Sequence, residues 1–354
     1  MPLSALLHRF ALPLAALALF LLPMRLAADL VWSPEGGWRF EGGVVSGLAP
    51  AENRNALNLM NRARAAEEKH HYHSALSSYK RVTKRFPNSL YAPEAFYRSG
   101  YIRLARHQYI KAFNAFQEIV LRYPSFARFN QVVGEQYRIA SALLDGARNH
   151  GWMLSPGFRN REASVPLFEQ ILMNAPYSEY APLSLMSIAK AHQLFHEPED
   201  AIDALDRMIN TYPKSLLTPD AYLRLAQAYA SLVEGPNYDQ TSTKEAITYF
   251  EDFMILYPGD PGIPAAEKGL AQMKQTLAES KLRIGDYYFR YRQNYKAARV
   301  FYNEAITDYP DSSVAARART QLTKVDAKLA GRPPPAEQPA GTPPPKKKKH
   351  FLFF

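Results

Sequence analysis

Proline punctuates this chain at intervals too regular for an ordinary globular domain. Six times a residue that is usually aromatic precedes it: Phe86-Pro87, Tyr123-Pro124, Ala175-Pro176, Tyr212-Pro213, Tyr257-Pro258 and Tyr309-Pro310. Proline has no N–H and pushes the residue before it out of the helical region, so each pair ends a helix. The prolines lie 37, 52, 37, 45 and 52 residues apart, a unit of 37 interrupted by insertions of 15, 8 and 15.

A second marker keeps the same register. Twelve residues before each proline stands Ala75, Ala112, Ser164, Ala201, Ala246 or Ala298, and four residues after each of these a large side chain: Tyr79, Phe116, Phe168, Leu205, Phe250, Tyr302. Small and large at i and i+4 share one helix face. Six residues after four of the stop prolines comes another, Pro93, Pro182, Pro219 and Pro264, suited to a first helical turn. Ser89, Ser178, Ser215 and Ser312, with Asp260 in the equivalent place, are expected to cap the turns by accepting backbone N–H groups. Each unit therefore reads as helix, turn, helix, proline stop, the signature of a tetratricopeptide (TPR) repeat.

The expected fold is all-α, a right-handed TPR α-solenoid of about six hairpins over residues 53–330. First helices are expected near 54–68, 92–106, 131–148, 182–195 and 219–233, and second helices near 72–85, 109–122, 163–174, 199–211, 243–256 and 295–308. The stretch 264–293 reads as one long helix, 312–330 as a closing helix, and 151–160 and 235–242 as loops.

Flanking segments differ in kind. Residues 1–28 read as a signal peptide, with the apolar run FALPLAALALFLL (10–22) and a cut after Ala28; a retained signal anchor is the alternative. Residues 29–52 form an extended N-terminal segment whose Trp32, Trp38 and Phe40 are candidates to pack on the first repeat. Residues 331–354 make a proline-rich spacer ending in KKKKHFLFF. Lys346, Lys347, Lys348 and Lys349, with Phe351, Phe353 and Phe354, are candidate contacts to an anionic membrane surface; a peptide ligand or a disordered tail are the alternatives. Of the net charge of +10, Arg9 and Arg25 supply two and the tail a net four, leaving only +4 on the body, so nucleic acid is not the expected partner.

No catalytic motif is present: no phosphate-binding G-x-x-x-x-G-K-[ST], no G-x-S-x-G and no G-x-G-x-x-G. Cysteine is absent, which removes thiol catalysis, thiolate metal sites and acylation on cysteine. His196-Glu197 begins like a zinc-protease helix, but Pro198 and Asp200 break the pattern, and His70, His71 and His73 read as a solvated turn. No catalytic residue, metal or cofactor is expected. TPR arrays bind along the face of their first helices. Register places Met60, Arg64, Glu94, Tyr97, Tyr101 and Leu104 on that face, as a peptide groove or as padding between repeats. Tyr238, Asp239 and Gln240 form either a docking loop or a helix cap.

The segments YHSALSSYKRVTKRFPNSLYAPEAFYRSGYI, KEAITYFEDFMILYPGD and DYYFRYRQNYKAARVFYNEAITDYPDSS resemble the BamD (ComL) family across about residues 53–325. That family comprises TPR components of the outer-membrane β-barrel assembly machinery. The resemblance implies a non-enzymatic periplasmic scaffold at the outer membrane that docks on the periplasmic domains of a BamA-like barrel inserter and binds unfolded outer-membrane proteins. It assigns Tyr97 and Tyr101 to substrate and the region 264–310 to docking. The family is lipid-anchored on a cysteine that this sequence does not contain. The competing expectation is another periplasmic TPR adaptor, of the Tol-associated or cell-division type, although no heptad coiled coil precedes the repeats; an enzyme on a helical-repeat body is a third.

Overall fold

The computed structural model describes residues 29–33, 36–41, 51–151 and 157–331. Residues 1–28, expected to be a signal peptide, and 332–354 lie outside the described residues. The chain divides into two compact units, 1–187 and 188–354.

The first unit opens with an antiparallel β-hairpin, β1 (Asp29–Ser33) and β2 (Gly37–Glu41), in which Trp32 faces Trp38. Helices α1 (Ala51–Glu68), α2 (Tyr72–Arg85), α3 (Ala92–Ala105), α4 (Tyr109–Arg122), α5 (Phe129–Leu144) and α6 (Ser164–Asn174) follow, and then α7 (Tyr180–Phe195), which runs across the unit boundary. The second unit continues with α8 (Pro198–Thr211), α9 (Thr218–Ser231), α10 (Thr241–Leu256), the long α11 (Ile263–Arg290), α12 (Tyr295–Asp308) and α13 (Ser313–Leu329). Connections of only a few residues make consecutive helices antiparallel neighbours, the TPR-type hairpin. The elements agree with the sequence reading to within a few residues, with three differences. Pro182 sits two residues inside α7 rather than at its first position. The expected loop 151–160 is flanked by a short β-ladder, β3 (Arg148–Asn149) with β4 (Phe158–Arg159), and residues 152–156 lie outside the described residues. The N-terminal segment is a hairpin rather than a plain extended strand, and α1 begins at Ala51, inside it.

The six predicted stops all hold. Phe86, Tyr123, Ala175, Tyr212, Tyr257 and Tyr309 are the C-cap residues of their helices, each with ψ of 53–80°, outside the helical region. Each carbonyl then accepts the N–H of the residue three further on, closing six equivalent turns at 3.0–3.2 Å, as in Ser89 to Phe86, Phe126 to Tyr123 and Ser312 to Tyr309. The serines act differently from expectation. Ser89, Ser178 and Ser312 donate their hydroxyls to the carbonyls of Phe86, Ala175 and Tyr309 at 2.7–2.8 Å. These carbonyls belong to the C-cap residue of each helix, whose own partner four residues on is lost where the helix stops. Ser215, Asp260 and Ser312 do accept a backbone N–H as well.

The small and large residues of the second helices are the core. All twelve, from Ala75 and Tyr79 to Ala298 and Tyr302, are at most 2% exposed. In two hairpins the large ring presses on a glycine of the preceding helix: a Cβ on Gly100 would lie 2.5 Å from the Phe116 ring, and one on Gly285 2.6 Å from Tyr302. Trp38 is buried and Trp32 and Leu30 half-buried against the core of α1 and α2, while Asn61 Oδ1 accepts the Trp38 N–H at 2.9 Å. The expected anchoring of the N-terminal segment on the first repeat is therefore seen for both tryptophans.

Gly100→Ala sets two effects against each other. The gain in helix propensity is worth up to about 1 kcal/mol, whereas overpacking against a buried ring costs about 1–3 kcal/mol. Urea unfolding is expected to show a net loss of stability that a second change, Phe116→Leu, partly restores; a Gly100→Ala chain more stable than wild type would show that the ring is not wedged.

Candidate functional site

The residues that register assigns to one groove separate into three environments. Met60 is fully buried in the core of the first hairpin and presents no surface, which corrects its placement as a groove residue. Glu94 and Tyr97 are also buried, at 1% and 4% exposure. Arg64, Tyr101 and Leu104 are half-buried and reach the surface. The register argument identifies the face of the helix but not its depth: a first helix is covered by the next hairpin over much of that face.

What the sequence reading missed is the charge lattice holding these residues. Arg64 pairs with Glu67 and Glu68, and its guanidinium lies 4.2 Å from the centre of the Trp32 ring. Glu67 also takes Arg98 and accepts the Tyr79 hydroxyl at 2.8 Å. Burial pushes the Glu67 carboxyl above its ordinary range, with the Tyr79 hydrogen bond and Arg64 pulling the other way. Tyr97 donates to the Tyr101 oxygen at 3.2 Å, Tyr101 donates to Glu135 Oε1 at 2.9 Å, and Arg138 donates to the same oxygen at 2.7 Å. Burial raises both tyrosines, so their hydroxyls act as donors and not as phenolates. Glu94 Oε2 is held by Arg128, whose guanidinium lies 4.2 Å from the centre of the Tyr97 ring and 5.2 Å from that of Phe126. Burial lowers the Arg128 pKa. Both cross-repeat links, Tyr101 to Glu135 and Glu94 to Arg128, span 34 residues. Each link joins the first helix of one hairpin to the start or body of the next first helix, three residues short of this chain's 37-residue unit, and that near-repeat spacing was the available signal for them.

Two depressions result. Arg64 and Tyr101 share one of about 410 Å³ with Glu67, Glu68, His70 and Tyr72. Glu94 lies in the wall of a second, of about 710 Å³. The candidate loop of the second unit is internally braced: Gln240 Nε2 donates to the Gly235 and Tyr238 carbonyls at 2.9 Å, and Arg283 reaches Asn237 at 2.7 Å. Hydrogen bonding to Thr241 holds the Asp239 carboxyl below its ordinary range. Tyr238 is 60% exposed, and Asn237 and Asp239 are exposed beside it. The candidate membrane contacts Lys346 to Lys349, Phe351, Phe353 and Phe354 lie outside the described residues.

The histidines serve as turn residues. His70, His107 and His196 occupy the left-handed region at φ of 53–61°, each in the tight turn between the helices of one hairpin, and Gln293 does the same in the last. Among the described residues, one group has metal-ligand chemistry: His192, Glu197 and Asp200, with donor atoms within 4.8 Å of one another. There His192 Nδ1 lies 2.8 Å from Glu197 Oε2, so the ring already has a hydrogen-bond partner. No helix among the described residues is long and apolar enough to cross a membrane.

Helical hairpins with small-large wedges, proline stops and a charge lattice of near-repeat spacing define a protein of the TPR class. The YfiO family, described as outer membrane lipoprotein, matches residues 160–330. The outer membrane protein assembly factor BamD of Caulobacter vibrioides is 26% identical over 138 residues, covering 39% of this chain and 45% of that protein. BamD of Rickettsia prowazekii is 26% identical over 157 residues, covering 44% and 62%, and BamD of Xylella fastidiosa 22% identical over 156, covering 41% and 53%. Residues 160–330 are thus similar to the YfiO family, and the chain is similar to BamD proteins. It spans about half the length of the curated relatives it matches. Among solved structures, a TPR protein from Parabacteroides merdae aligns over 75% of this chain and 97% of its own at 11% identity and a TM-score of 0.31. The crystal structure of MamA aligns over 58% and 93% at 15% identity and a TM-score of 0.32.

A folded-state pKa raised above the unfolded value adds stability as pH falls through it, and the gain is complete below the ordinary glutamate value. Glu67→Gln removes that titration. Urea unfolding of wild type and variant is therefore expected to diverge as pH is lowered from 7, the wild type gaining the more; parallel pH profiles would contradict the burial assigned to Glu67.

Proposed function

We propose that the chain is a non-enzymatic scaffold of outer-membrane β-barrel assembly, working in the periplasm at the outer membrane. In this reading the repeats of the second unit dock on the periplasmic domains of a BamA-like barrel inserter, and those of the first hold unfolded outer-membrane proteins. The observation that carries it is the family match over residues 160–330 together with relatives that are themselves named assembly factors. The second unit offers a surface suited to docking: Tyr287 on α11, Tyr291 at its C-cap and Val300 on α12 are 48%, 78% and 54% exposed. Aromatic side chains give large contact area at low entropic cost. In the first unit, Tyr101 and Arg64 are the accessible members of the expected groove. The scaffold role requires no catalytic group, cofactor or metal.

Pull-down of the full chain from detergent-solubilised envelope is expected to recover a barrel-inserting protein, and Tyr291→Ala with Val300→Asp to reduce that recovery without reducing binding of unfolded barrel protein. Recovery of a Tol component instead would replace this reading with the adaptor one.

Attachment is proposed to run through the tail. The 354 residues contain no cysteine to carry an acyl chain, whereas KKKKHFLFF pairs four cations with three phenylalanines. Each lysine near an anionic surface contributes about 1 kcal/mol. Deleting 346–354 is expected to abolish flotation of the chain with anionic vesicles, and unchanged flotation would refute tail attachment.

A further inference from the structure

The N-terminal β-hairpin leaves a sheet edge unused. Trp38 gives its N–H to Asn61, on the side away from β1. The Trp32–Trp38 pair is therefore a non-hydrogen-bonded one, and so is Leu30–Phe40 two residues along the ladder. In such pairs the N–H and C=O groups point away from the partner strand. Those of Leu30 and Trp32 consequently face the outer edge of β1, where among the described residues nothing hydrogen-bonds to them.

Leu30 and Val31 both line the cavity of about 710 Å³. Successive side chains of a strand point to opposite faces. A space that both residues reach lies along the strand's edge, and the opposite edge is occupied by β2. Across the cavity stand Leu90, 51% exposed, with Pro93 and Phe126. The wall also contains an unmet hydrogen-bond acceptor. Glu94 is 1% exposed and its Oε2 is held by Arg128, but Oε1 is buried with no partner. A buried acceptor left unpaired is costly, so a donor brought to it is bound strongly.

We propose that this cavity is a strand-docking site. An extended polypeptide segment pairs its backbone with the Leu30 and Trp32 edge and places one aromatic side chain carrying a donor, tyrosine or tryptophan, between Leu90 and Phe126 with its O–H or N–H on Glu94 Oε1. Main-chain pairing supplies affinity for any extended segment, and the cavity selects the side chain. The site rests on the reading that the first unit holds unfolded barrel proteins, and it specifies what is held: a single strand, aligned by its backbone.

The probe is a fluorescent nine-residue peptide of alternating threonine and valine with a central tyrosine, titrated into the full chain and followed by anisotropy. Replacing the tyrosine by phenylalanine removes the donor to a carboxylate and is expected to weaken binding about tenfold, the equivalent of about 1.4 kcal/mol. N-methylation of the alternate backbone amides that face β1 is expected to abolish it. Leu90→Asp, a change at an exposed turn residue, should weaken binding at least about tenfold, while Leu216→Asp, at a 96% exposed position of the second unit, should leave it unchanged. Equal binding of the N-methylated peptide, or indifference to both the phenylalanine exchange and Leu90→Asp, overturns the proposal. Binding that appears only after residues 332–354 are deleted also overturns it, assigning the cavity to the chain's own tail. The two readings fail separately: loss of strand selectivity with the barrel inserter still recovered leaves the scaffold role standing, and selective strand binding without the inserter leaves only the strand site.

Discussion

Each hairpin is closed by a bulky side chain set four residues after a small one on the second helix. The small residue lets a neighbouring backbone approach, and the large one fills the space that approach leaves. Phe116 on Gly100, Tyr302 on Gly285 and Phe250 on Gly269 show a tight form, where even a methyl group on the facing helix would overlap the ring. Interior packing at this density has no slack. The wedge therefore fixes both the distance between the two helices and their rotation, and so which residues of the first helix remain at the surface.

The turns between hairpins follow from this constraint and from proline. Proline removes the N–H that would have continued the helix and leaves upstream carbonyls short of donors. The carbonyl of the residue before each proline is served separately, by a backbone N–H three residues on and, in three turns, by a serine hydroxyl as well. Within a hairpin the turn is made instead by a residue in the left-handed region, histidine in three cases, among them His70 of the cluster that otherwise suggests a metal.

Most of the fold was legible because its determinants are local and repeated. Proline position, small-large spacing and the second proline each act within one turn of backbone, and six copies in phase fix helix boundaries that one copy would leave ambiguous. The site was less legible because its determinants lie between repeats. Met60 and Leu104 share a helical face in the sequence pattern, yet one is sealed by its neighbours and the other is not, and only packing decides that. Glu67, Glu135 and Arg128 carry no motif; they matter because they stand opposite Tyr79, Tyr101 and Glu94. The β-hairpin was hidden for the same reason: DLVWS and GWRFE are too short to declare themselves as strands, and Asn61 on α1 supplies the partner that holds the second one.

The Tyr123 hydroxyl donates to the carbonyl of Pro87, joining two successive inter-hairpin turns at 2.7 Å. The matching position one repeat later is Ala175, which has no hydroxyl to offer. Copies that look interchangeable in outline are thus individually addressed. Excising one hairpin would bring together neighbours that never evolved to meet, so the array cannot heal by closing the gap, and its length is as much a part of its specification as its sequence.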